Sequence, residues 1–311
     1  MIYTVTLNPA LDRTLTVSTL KLNEVIRAKK VSVDCGGKGF NVSRALKLLG
    51  GESTILGFIG GAAGFSLEDG LRSMHLTTDF IRIKGETRTN FVVTEEETAK
   101  HIKVNEPGPI ISESEQQELI IQISNLARPA DLWVFSGSLP PGIPSNFYAR
   151  LISIIHTKEA KACLDTSGEA LQKSLSAQPF IIKPNKQEAE EALEISIKNR
   201  ADQIEAAKKF HAKQIPWVAI SFGGDGLLLS DETTMVHTPA PSINVVNSVG
   251  AGDALLAGLL WAYSQGKGIS EMAAWGVATG SCAARKDGVN FGSYDEVKGM
   301  FESIKKRVTI L

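Results

Sequence analysis

Short apolar runs alternate with amphipathic stretches along most of the chain. The apolar runs have the length and composition of buried strands, and they lie at residues 2–7, 53–59, 131–136, 161–165, 180–183 and 217–222. The stretches between them have helical spacing, and two begin with a capping-box pattern, Ser112 with Glu115 and Asn185 with Glu188. Strands that alternate with helices are typical of βαβ units, so the pattern predicts an α/β fold with a mostly parallel sheet.

Two segments break this alternation. At 15–34 and 87–104, β-prone residues alternate with polar ones, as in strands that have one face in solvent. We expect these segments to form a small antiparallel sheet outside the main one. No internal repeat or Pro/Ser-rich linker marks a boundary, so residues 1–311 are predicted to form a single domain with a β appendage.

The last third of the chain predicts a hairpin followed by helices. Residues 220–241 contain the turn signal Asp225-Gly226 between apolar runs, which favours a hairpin-rich sheet edge. Three helices should follow, starting near Gly250, Ser270 and Ser293.

Composition excludes several classes of protein. The 33 Lys and Arg residues nearly balance 34 Asp and Glu residues, so no strong overall field attracts nucleic acid or an anionic membrane. The longest strongly apolar stretch, 254–263, is about half of a membrane span, and no secretory leader is evident. The three cysteines are odd in number and far apart, which favours reduced thiols and a cytoplasmic protein.

The strongest chemical signal is the run NSVGAGD at 247–253, which enters an apolar helix predicted at 254–264. Its glycines let several backbone amides turn toward one anion at the helix start, where the helix dipole also favours negative charge. Asp253 would accept a proton there from a hydroxyl that attacks a phosphoryl group. The alternative is an ordinary acidic residue in a first helical turn.

A second glycine cluster, CGGKGFN at 35–41, precedes a helix predicted at 42–49. The glycines allow a ligand to approach the backbone, Lys38 offers a charge and Asn41 offers two directional hydrogen bonds. These features are typical of a sugar-binding loop. The alternative is a turn in which Asn41 is the helix N-cap.

Three smaller groups fit the same chemistry, each with a plain alternative. Asp12 follows the first strand and could hold sugar hydroxyls, or it serves the turn after Asn8-Pro9. Arg88 could pair with a phosphate, or it is a solvated surface residue. The run SGSLPPG at 136–142 ends a strand, and its alternative is a plain strand-to-helix turn.

Two further groups suit a nucleotide. Lys183, Asn185 and Glu188 bring a cation, an amide and a carboxylate together at a strand end, and they could organise Mg²⁺ through water together with nucleotide phosphates. The capping box accounts for the same residues structurally. The Gly-rich run at 221–226 could lie against a nucleotide, or it is only a good hairpin.

Other nucleotide and metal motifs are missing from the sequence. It contains no GxxxxGK[ST] phosphate loop, no GxGxxG dinucleotide motif and no HExxH. A nicotinamide oxidoreductase and a structural zinc site are therefore disfavoured.

The order of these groups resembles the ribokinase superfamily of carbohydrate kinases, and in particular its branch of 1-phosphofructokinases and tagatose-6-phosphate kinases. The resemblance runs from Thr6 to about Gly288. Seven blocks carry it: TLNPALD at 6–12, GGKGFNVSR at 36–44, TRTN at 87–90, SGSLPPG at 136–142, DTSGEAL at 165–171, KPNKQE at 183–188 and VGAGD at 249–253.

The resemblance implies a fold, a reaction and a set of site residues. The fold is a three-layer α/β/α domain with a mostly parallel central sheet and a small β lid, here at about 12–34 and 87–106, which often helps to pair subunits into a homodimer.

Asp253 would be the catalytic base, and the amides of Gly250, Ala251 and Gly252 would form the anion hole. The implied contacts to a phosphosugar are Asp12, Gly36, Gly37, Lys38, Asn41, Arg88, Asn90 and Ser138. The implied contacts to ATP and Mg²⁺ are Lys183, Asn185, Glu188, Ser221, Gly223, Gly226, Ser248, Gly252 and Gly280, with Asn185 and Glu188 on the metal side and adenine near 278–281.

The expected activity is ATP-dependent phosphorylation of a ketohexose phosphate, foremost fructose 1-phosphate to fructose 1,6-bisphosphate. Tagatose 6-phosphate is the next candidate substrate and fructose 6-phosphate the third. A nicotinamide oxidoreductase and a non-catalytic sugar-phosphate sensor are the alternatives from other classes. An intact Asp253 with its glycines favours turnover over sensing.

Overall fold

A large mixed sheet forms the centre of the protein. The computed structural model describes residues 1–21, 23–98, 100–286, 288 and 290–311. In spatial order the sheet contains β15 (Thr309–Ile310), β14 (Met235–Thr238), β13 (Leu227–Ser230), β12 (Trp217–Ser221), β11 (Ile181–Ile182), β10 (Lys161–Asp165), β9 (Leu132–Ser136), β1 (Ile2–Thr6), β4 (Thr54–Ile59) and β5 (Thr77–Thr78), with β6 (Ile81–Arg82) also paired to β4. The strands from β12 to β5 are parallel, and β13, β14 and β15 extend the sheet as antiparallel strands.

Helices cover both faces of this sheet, as the alternation of buried side chains along the strands requires. Trp133 and Phe135 of β9 face one apolar core, whereas Leu132 and Val134 face another. The first core is shared with α3 (Glu113–Leu126), α4 (Phe147–Thr157), α5 (Gly168–Ser174), α6 (Lys186–Leu193) and α7 (Arg200–His211). The opposite face packs against α1 (Lys38–Leu48), α2 (Gly61–Ser73), α8 (Ala251–Ser264), α9 (Ile269–Ala284) and α10 (Tyr294–Ile304). The expected three-layer α/β/α architecture is confirmed.

A second sheet of four strands lies outside the large one. Its order is β3 (Lys30–Gly36), β2 (Ala10–Val17), β7 (Arg88–Glu95) and β8 (His101–Val104). The outer pairs are antiparallel, but β2 and β7 are parallel. The prediction of a purely antiparallel sheet was therefore wrong. We call these four strands the small sheet.

Most of the predicted elements are confirmed, with two corrections at helix starts. Both capping boxes form, at Ser112 and at Asn185. Helix α1 begins at Lys38 and not at 42, because Gly37 is its N-cap, so Asn41 lies inside the helix and is not the cap. Helix α8 begins at Ala251, which agrees with the helix start expected near Gly250 and corrects the bound of 254 given for its apolar stretch. In both cases the glycine-containing loop continues directly into the helix, which brings its polar side chains onto a rigid element.

The course of the chain creates a crevice at one edge of the large sheet. From β1 the chain passes to β4 on one side, and it later returns to β9 on the other side of β1. In open α/β sheets, ligands bind beyond the carboxyl ends of the strands at such a switch point. Within the described residues, no helix has both the length and the apolar composition needed to cross a membrane.

Candidate active site

A cleft of about 500 Å³ opens at this switch point, beyond the carboxyl ends of β1, β9, β10, β11 and β12. The small sheet forms its other wall. Among the predicted site residues, those that line the cleft are Asp12, Gly36, Gly37, Lys38, Asn41, Arg88, Asn90, Ser138, Lys183, Asn185, Glu188, Ser221, Gly250, Gly252 and Asp253. The structure therefore brings together residues that are up to 241 positions apart in the sequence.

The start of α8 presents free amides to the cleft. Gly250 is its N-cap and has φ +77°, a left-handed conformation that favours glycine. The amides of Gly252 and Asp253 have no hydrogen-bond acceptor among the described residues, as expected in the first turn of a helix. The amide of Ala251 differs, because it donates to the carbonyl oxygen of Ser248 at 3.2 Å. Of the three amides expected to form an anion hole, that of Ala251 therefore already has an acceptor.

The carboxyl group of Asp253 is held beside these amides. Its side chain is buried, and the Nδ2 of Asn41 donates a hydrogen bond to its Oδ2 at 2.8 Å. Burial, together with the negative charge of Asp165, raises the pKa of Asp253 to about 6, against the lowering effect of Lys38, Asn41 and Lys183. A carboxylate with this pKa is ionised at neutral pH and is still basic enough to take a proton from a hydroxyl.

Two lysines in the cleft share one buried carboxylate. The ammonium of Lys38 lies 3.0 Å from Oδ1 of Asp165, and that of Lys183 lies 3.3 Å from Oδ2. Burial disfavours the charged form of Asp165, but the two lysines outweigh it and hold the pKa of Asp165 below its usual value. Burial likewise opposes the charge on Lys38, yet the nearby carboxylates raise its pKa. Asp165 and Lys38 are therefore charged at neutral pH.

Asp12 and Asn90 face the cleft from adjacent strands of the small sheet. The two residues are cross-strand partners, and the Nδ2 of Asn90 donates to Oδ1 of Asp12 at 2.8 Å. A Cβ at position 36 would lie 2.2 Å from Oδ2 of Asp12, so only glycine fits against this carboxylate. Burial raises the pKa of Asp12. This pair offers a hydrogen-bonded carboxylate to a ligand.

Arg88 is fixed where the small sheet joins the large one. Its guanidinium donates to the carbonyl oxygens of Asn8 and Glu106, each at 2.9 Å. It also lines the cleft, together with Lys103 and Asn105 of the small-sheet side. Lys38, Arg88 and Lys103 thus make this half of the cleft cationic, which suits a phosphate ester.

Three buried amide oxygens in the cleft have no donor. The Oδ1 atoms of Asn8, Asn41 and Asn90 accept no hydrogen bond from the described residues. A buried acceptor without a donor is costly, and such atoms are normally paired with a ligand or water. Hydroxyl groups of a sugar would supply the required donors.

The predicted nucleotide contacts that line the cleft include Lys183, Asn185, Glu188 and Ser221. Asn185 and Glu188 close the N-terminal capping box of α6, which uses one oxygen of each side chain. Ser221 forms a β-bridge with Asn185. Four other predicted nucleotide contacts do not line the cleft: Gly223, Gly226, Ser248 and Gly280. Ala251, which was predicted for the anion hole, does not line it either. Gly280 lies in α9 against the start of α8.

The described residues contain no group of three or more His, Cys, Asp or Glu side chains that could hold a metal. The second carboxylate oxygen of Glu188 remains available in the cleft. One carboxylate in a polar cleft fits Mg²⁺ that retains water and is bound mainly by nucleotide phosphates. A closed metal site made by the protein alone does not fit these residues.

Several cleft residues were not found from the sequence: Thr6, Asn8, Lys103, Asn105, Thr166 and Ser167. The fully buried Asp165, which pairs with the cleft residues Lys38 and Lys183, was not found either. Five of these residues lie at or just beyond strand ends, inside the blocks that carry the family resemblance: Thr6, Asn8, Asp165, Thr166 and Ser167. Their position after a predicted strand was the signal that could have identified them. Lys103 and Asn105 belong to an exposed strand and the residues after it, where nothing local marks them.

A three-layer α/β fold, a buried carboxylate beside free helix amides, and a polar cationic cleft define a sugar phosphotransferase. The sequence profile of the pfkB family carbohydrate kinases matches residues 5–296, and the chain belongs to this family.

Relatives of known type match the chain along nearly its whole length. A 1-phosphofructokinase of Borreliella burgdorferi is 34% identical over 98% of this chain and 98% of its own. A D-tagatose-1-phosphate kinase of Bacillus licheniformis is 35% identical over 93% of this chain and 94% of its own. The crystal structure of phosphofructokinase-2 from Escherichia coli in complex with fructose-6-phosphate superposes with a TM-score of 0.90 at 28% identity, covering 97% of this chain and 98% of that one.

Proposed function

We propose that the protein transfers the γ-phosphoryl group of MgATP to the free primary hydroxyl of a ketohexose phosphate, foremost fructose 1-phosphate, to give fructose 1,6-bisphosphate. The observation that carries this proposal is the buried carboxylate of Asp253 beside the unpaired amides of Gly252 and Asp253, in a cleft lined by sugar-type hydrogen-bonding groups. It supplies a base and an anion site within one helical turn.

The chain contributes mainly positioning and charge neutralisation. Asp253 accepts the proton of the attacking hydroxyl, and the hydrogen bond from Asn41 orients its carboxylate. The free amides at the start of α8 and the ammonium of Lys183 stabilise negative charge on the migrating group. Phosphoryl transfer proceeds through a loose transition state, so these interactions supply most of the acceleration.

The residues that would hold the nucleotide phosphates and Mg²⁺ are Lys183, Asn185, Glu188 and Ser221. The family resemblance puts adenine near the helix residues 278–281, which lie outside the lining of this cleft. Mg²⁺, when bound, neutralises charge on the phosphate oxygens. Lys183 is buried and its ammonium lies 3.6 Å from a Cβ built at Gly252, which supports a position beside the phosphate.

Arg88, Lys103 and Ser138 would bind the phosphate already present on the sugar, and Asp12 with Asn90 would bind its hydroxyls. The 1-phosphofructokinase relative supports fructose 1-phosphate. The D-tagatose-1-phosphate kinase relative supports tagatose 1-phosphate, which is the C4 epimer of fructose 1-phosphate. The alternative substrates are therefore tagatose 1-phosphate, tagatose 6-phosphate and fructose 6-phosphate.

The proposal is tested by ADP release with each of these four ketose phosphates at a fixed MgATP concentration. We expect fructose 1-phosphate to give the highest kcat/KM, which is the quantity that measures specificity. A higher kcat/KM for another ketose phosphate would correct the substrate and keep the reaction. Thermal stabilisation by sugar phosphates without any ADP release would instead identify a non-catalytic sensor.

We also propose that the small sheet is the lid of this site, within a single domain of residues 1–311, and that its outer face pairs two subunits. Cross-strand partners lie on the same face of a sheet. One face carries Asp12 and Asn90 toward the cleft, and the other carries the valines and isoleucines that are about half exposed: Val31, Val33, Ile102 and Val104. An apolar patch of this kind suits a symmetric partner.

A further inference from the structure

Asp165 is a fully buried charged group that contacts two lysines of the cleft, and the proposed chemistry gives it no proton to transfer. It ends β10, and its side chain has no exposed surface. Its two oxygens contact two ammonium groups that arrive from different elements, Lys38 from the first turn of α1 and Lys183 from the end of β11. A buried charge is retained at a cost in stability, so a carboxylate here requires an explanation.

The geometry provides one. A short side chain fixed at the end of a central strand has little freedom, whereas each lysine has four rotatable bonds. The two oxygens of one carboxylate therefore set the separation of the two ammonium groups. Lys183 lies beside Gly252 at the start of α8, and Lys38 lies next to Gly37 at the sugar side of the cleft.

We propose that Asp165 is a positioning residue that holds Lys38 at the acceptor sugar and Lys183 at the migrating phosphoryl group. This inference rests on the proposed function. It adds a residue that touches neither reactant but fixes the cations that do.

The charges around Asp253 give this positioning role a second readout. The groups that face its carboxyl are Asp165 at the end of β10, Lys38 and Asn41 on α1, and Lys183 after β11. Asp165 is the only one of these that raises the pKa of Asp253, whereas the other three lower it. Removing its negative charge must therefore make Asp253 a weaker base.

The experiment compares kcat as a function of pH for wild type, Asp165→Asn and Asp165→Glu. We expect Asp165→Asn to lower kcat at its plateau by at least about tenfold, because misplaced groups are costly in phosphoryl transfer. We also expect the acid limb of its profile to move to lower pH. Asp165→Glu keeps the charge but alters the geometry, so it should lower kcat with an unchanged acid limb.

Asp131→Asn is the matched control. Asp131 is also buried, but its Oδ2 accepts the amide of Arg128 at 2.9 Å beside the amino end of β9, away from the cleft. This variant should lower Tm without altering kcat or the acid limb. If Asp165→Asn behaves in the same way, or loses kcat with an unmoved acid limb, Asp165 is merely structural and the proposal is overturned.

A measurement on the wild-type protein covers the case in which neither Asp165 variant folds. In ¹³C NMR of Asp-labelled protein, the carboxyl of Asp165 should remain ionised over the pH range in which that of Asp253 titrates. Titration of both in the same range would overturn the inference. Because this readout needs no turnover, it also separates failure of the inference from failure of the proposed function, which shows as absence of ADP release in wild type.

Discussion

Three aspartates in or beside the cleft have pKa values displaced in different directions, so the environment of each carboxyl group sets its role. Burial raises the pKa of Asp12 and that of Asp253. Asp165 is more deeply buried than either, yet its two lysines lower its pKa. A raised pKa near neutrality suits a proton acceptor, whereas a lowered one suits a permanent counter-ion.

Asp253→Asn should abolish most of the activity and leave the fold intact. Loss of a general base costs about 10²- to 10⁴-fold in rate, and we expect kcat to fall within this range. In wild type, kcat should rise with pH through about 6 as Asp253 loses its proton. ADP release over pH 5–8 measures both. A variant with near wild-type kcat would contradict the assignment of the base.

The Tm of the same variant is the control for folding, and its sign follows from the pKa. A carboxyl group whose pKa is raised on folding destabilises the folded state above that pKa, and the penalty disappears below the pKa of the unfolded chain. The penalty on Asp253 therefore develops between about pH 4 and pH 6. Asp253→Asn should raise Tm at pH 8 and leave it nearly unchanged at pH 4. A lower Tm at pH 8 would indicate damage to the fold instead.

At this scale the sequence predicted the residues that stand in local motifs and missed those defined by distant contacts. Lys38, Asn41 and Asp253 lie in glycine-rich runs whose composition indicates ligand binding. The ion pair of Lys38 with Asp165 joins residues 127 positions apart, and no local pattern encodes it. The bond between Ala251 and Ser248 depends on the exact course of one turn, which composition does not specify.

At the scale of elements, the strands of the large sheet were predictable because they are buried on both faces and therefore continuously apolar. The parallel pairing of β2 with β7 was not predictable, because the two strands are about 78 residues apart in the sequence. Their alternation of apolar and polar residues fits parallel and antiparallel pairing equally well. The start of α1 was missed because Gly37 and Gly39 weaken the helical signal, although Gly39 lies inside the helix.

The contact between α8 and α9 positions the catalytic end of α8. A Cβ at Gly280 would lie 2.9 Å from the carbonyl oxygen of Ala251 and 3.1 Å from Cβ of Leu255. Gly280→Ala should therefore displace the start of α8, with a loss of about 1–3 kcal/mol in the free energy of unfolding, typical of overpacking. We expect kcat to fall several-fold as well. Denaturant unfolding and ADP release measure the two effects.

Gly299→Ala is the control for that substitution. Gly299 lies within α10, and a Cβ there meets no described atom within 4 Å. Alanine in an open helical position should stabilise the protein by about 0.5–1 kcal/mol without changing kcat. Equal behaviour of the two variants would show that the α8–α9 contact does not control the site.

At the scale of the whole molecule, the cleft lies between two sheets of different character. The large sheet and its helices hold Asp253, Lys183 and Asp165 on rigid, buried elements. The small sheet contributes Asp12, Asn90 and Lys103 from strands whose other face is exposed. The side proposed to bind the sugar is thus less well supported by the single chain than the side proposed to transfer phosphate.

This asymmetry makes sugar binding sensitive to whatever covers the outer face of the small sheet. If a second copy covers it, Val33→Asp combined with Val104→Asp should separate the subunits, since the two positions lie in one cross-strand row. Light scattering after gel filtration should then show about 33.4 kDa for the variant and twice that mass for wild type. The loosened strands should raise KM for the ketose phosphate several-fold, while KM for ATP, which binds to the large-sheet side, stays unchanged.

Ile121→Asp on α3, where the isoleucine is 52% exposed, introduces the same charge elsewhere and should alter neither mass nor KM. A wild-type protein that is monomeric at assay concentration, or a dissociated variant with an unchanged KM for the sugar, would contradict this role of the outer face.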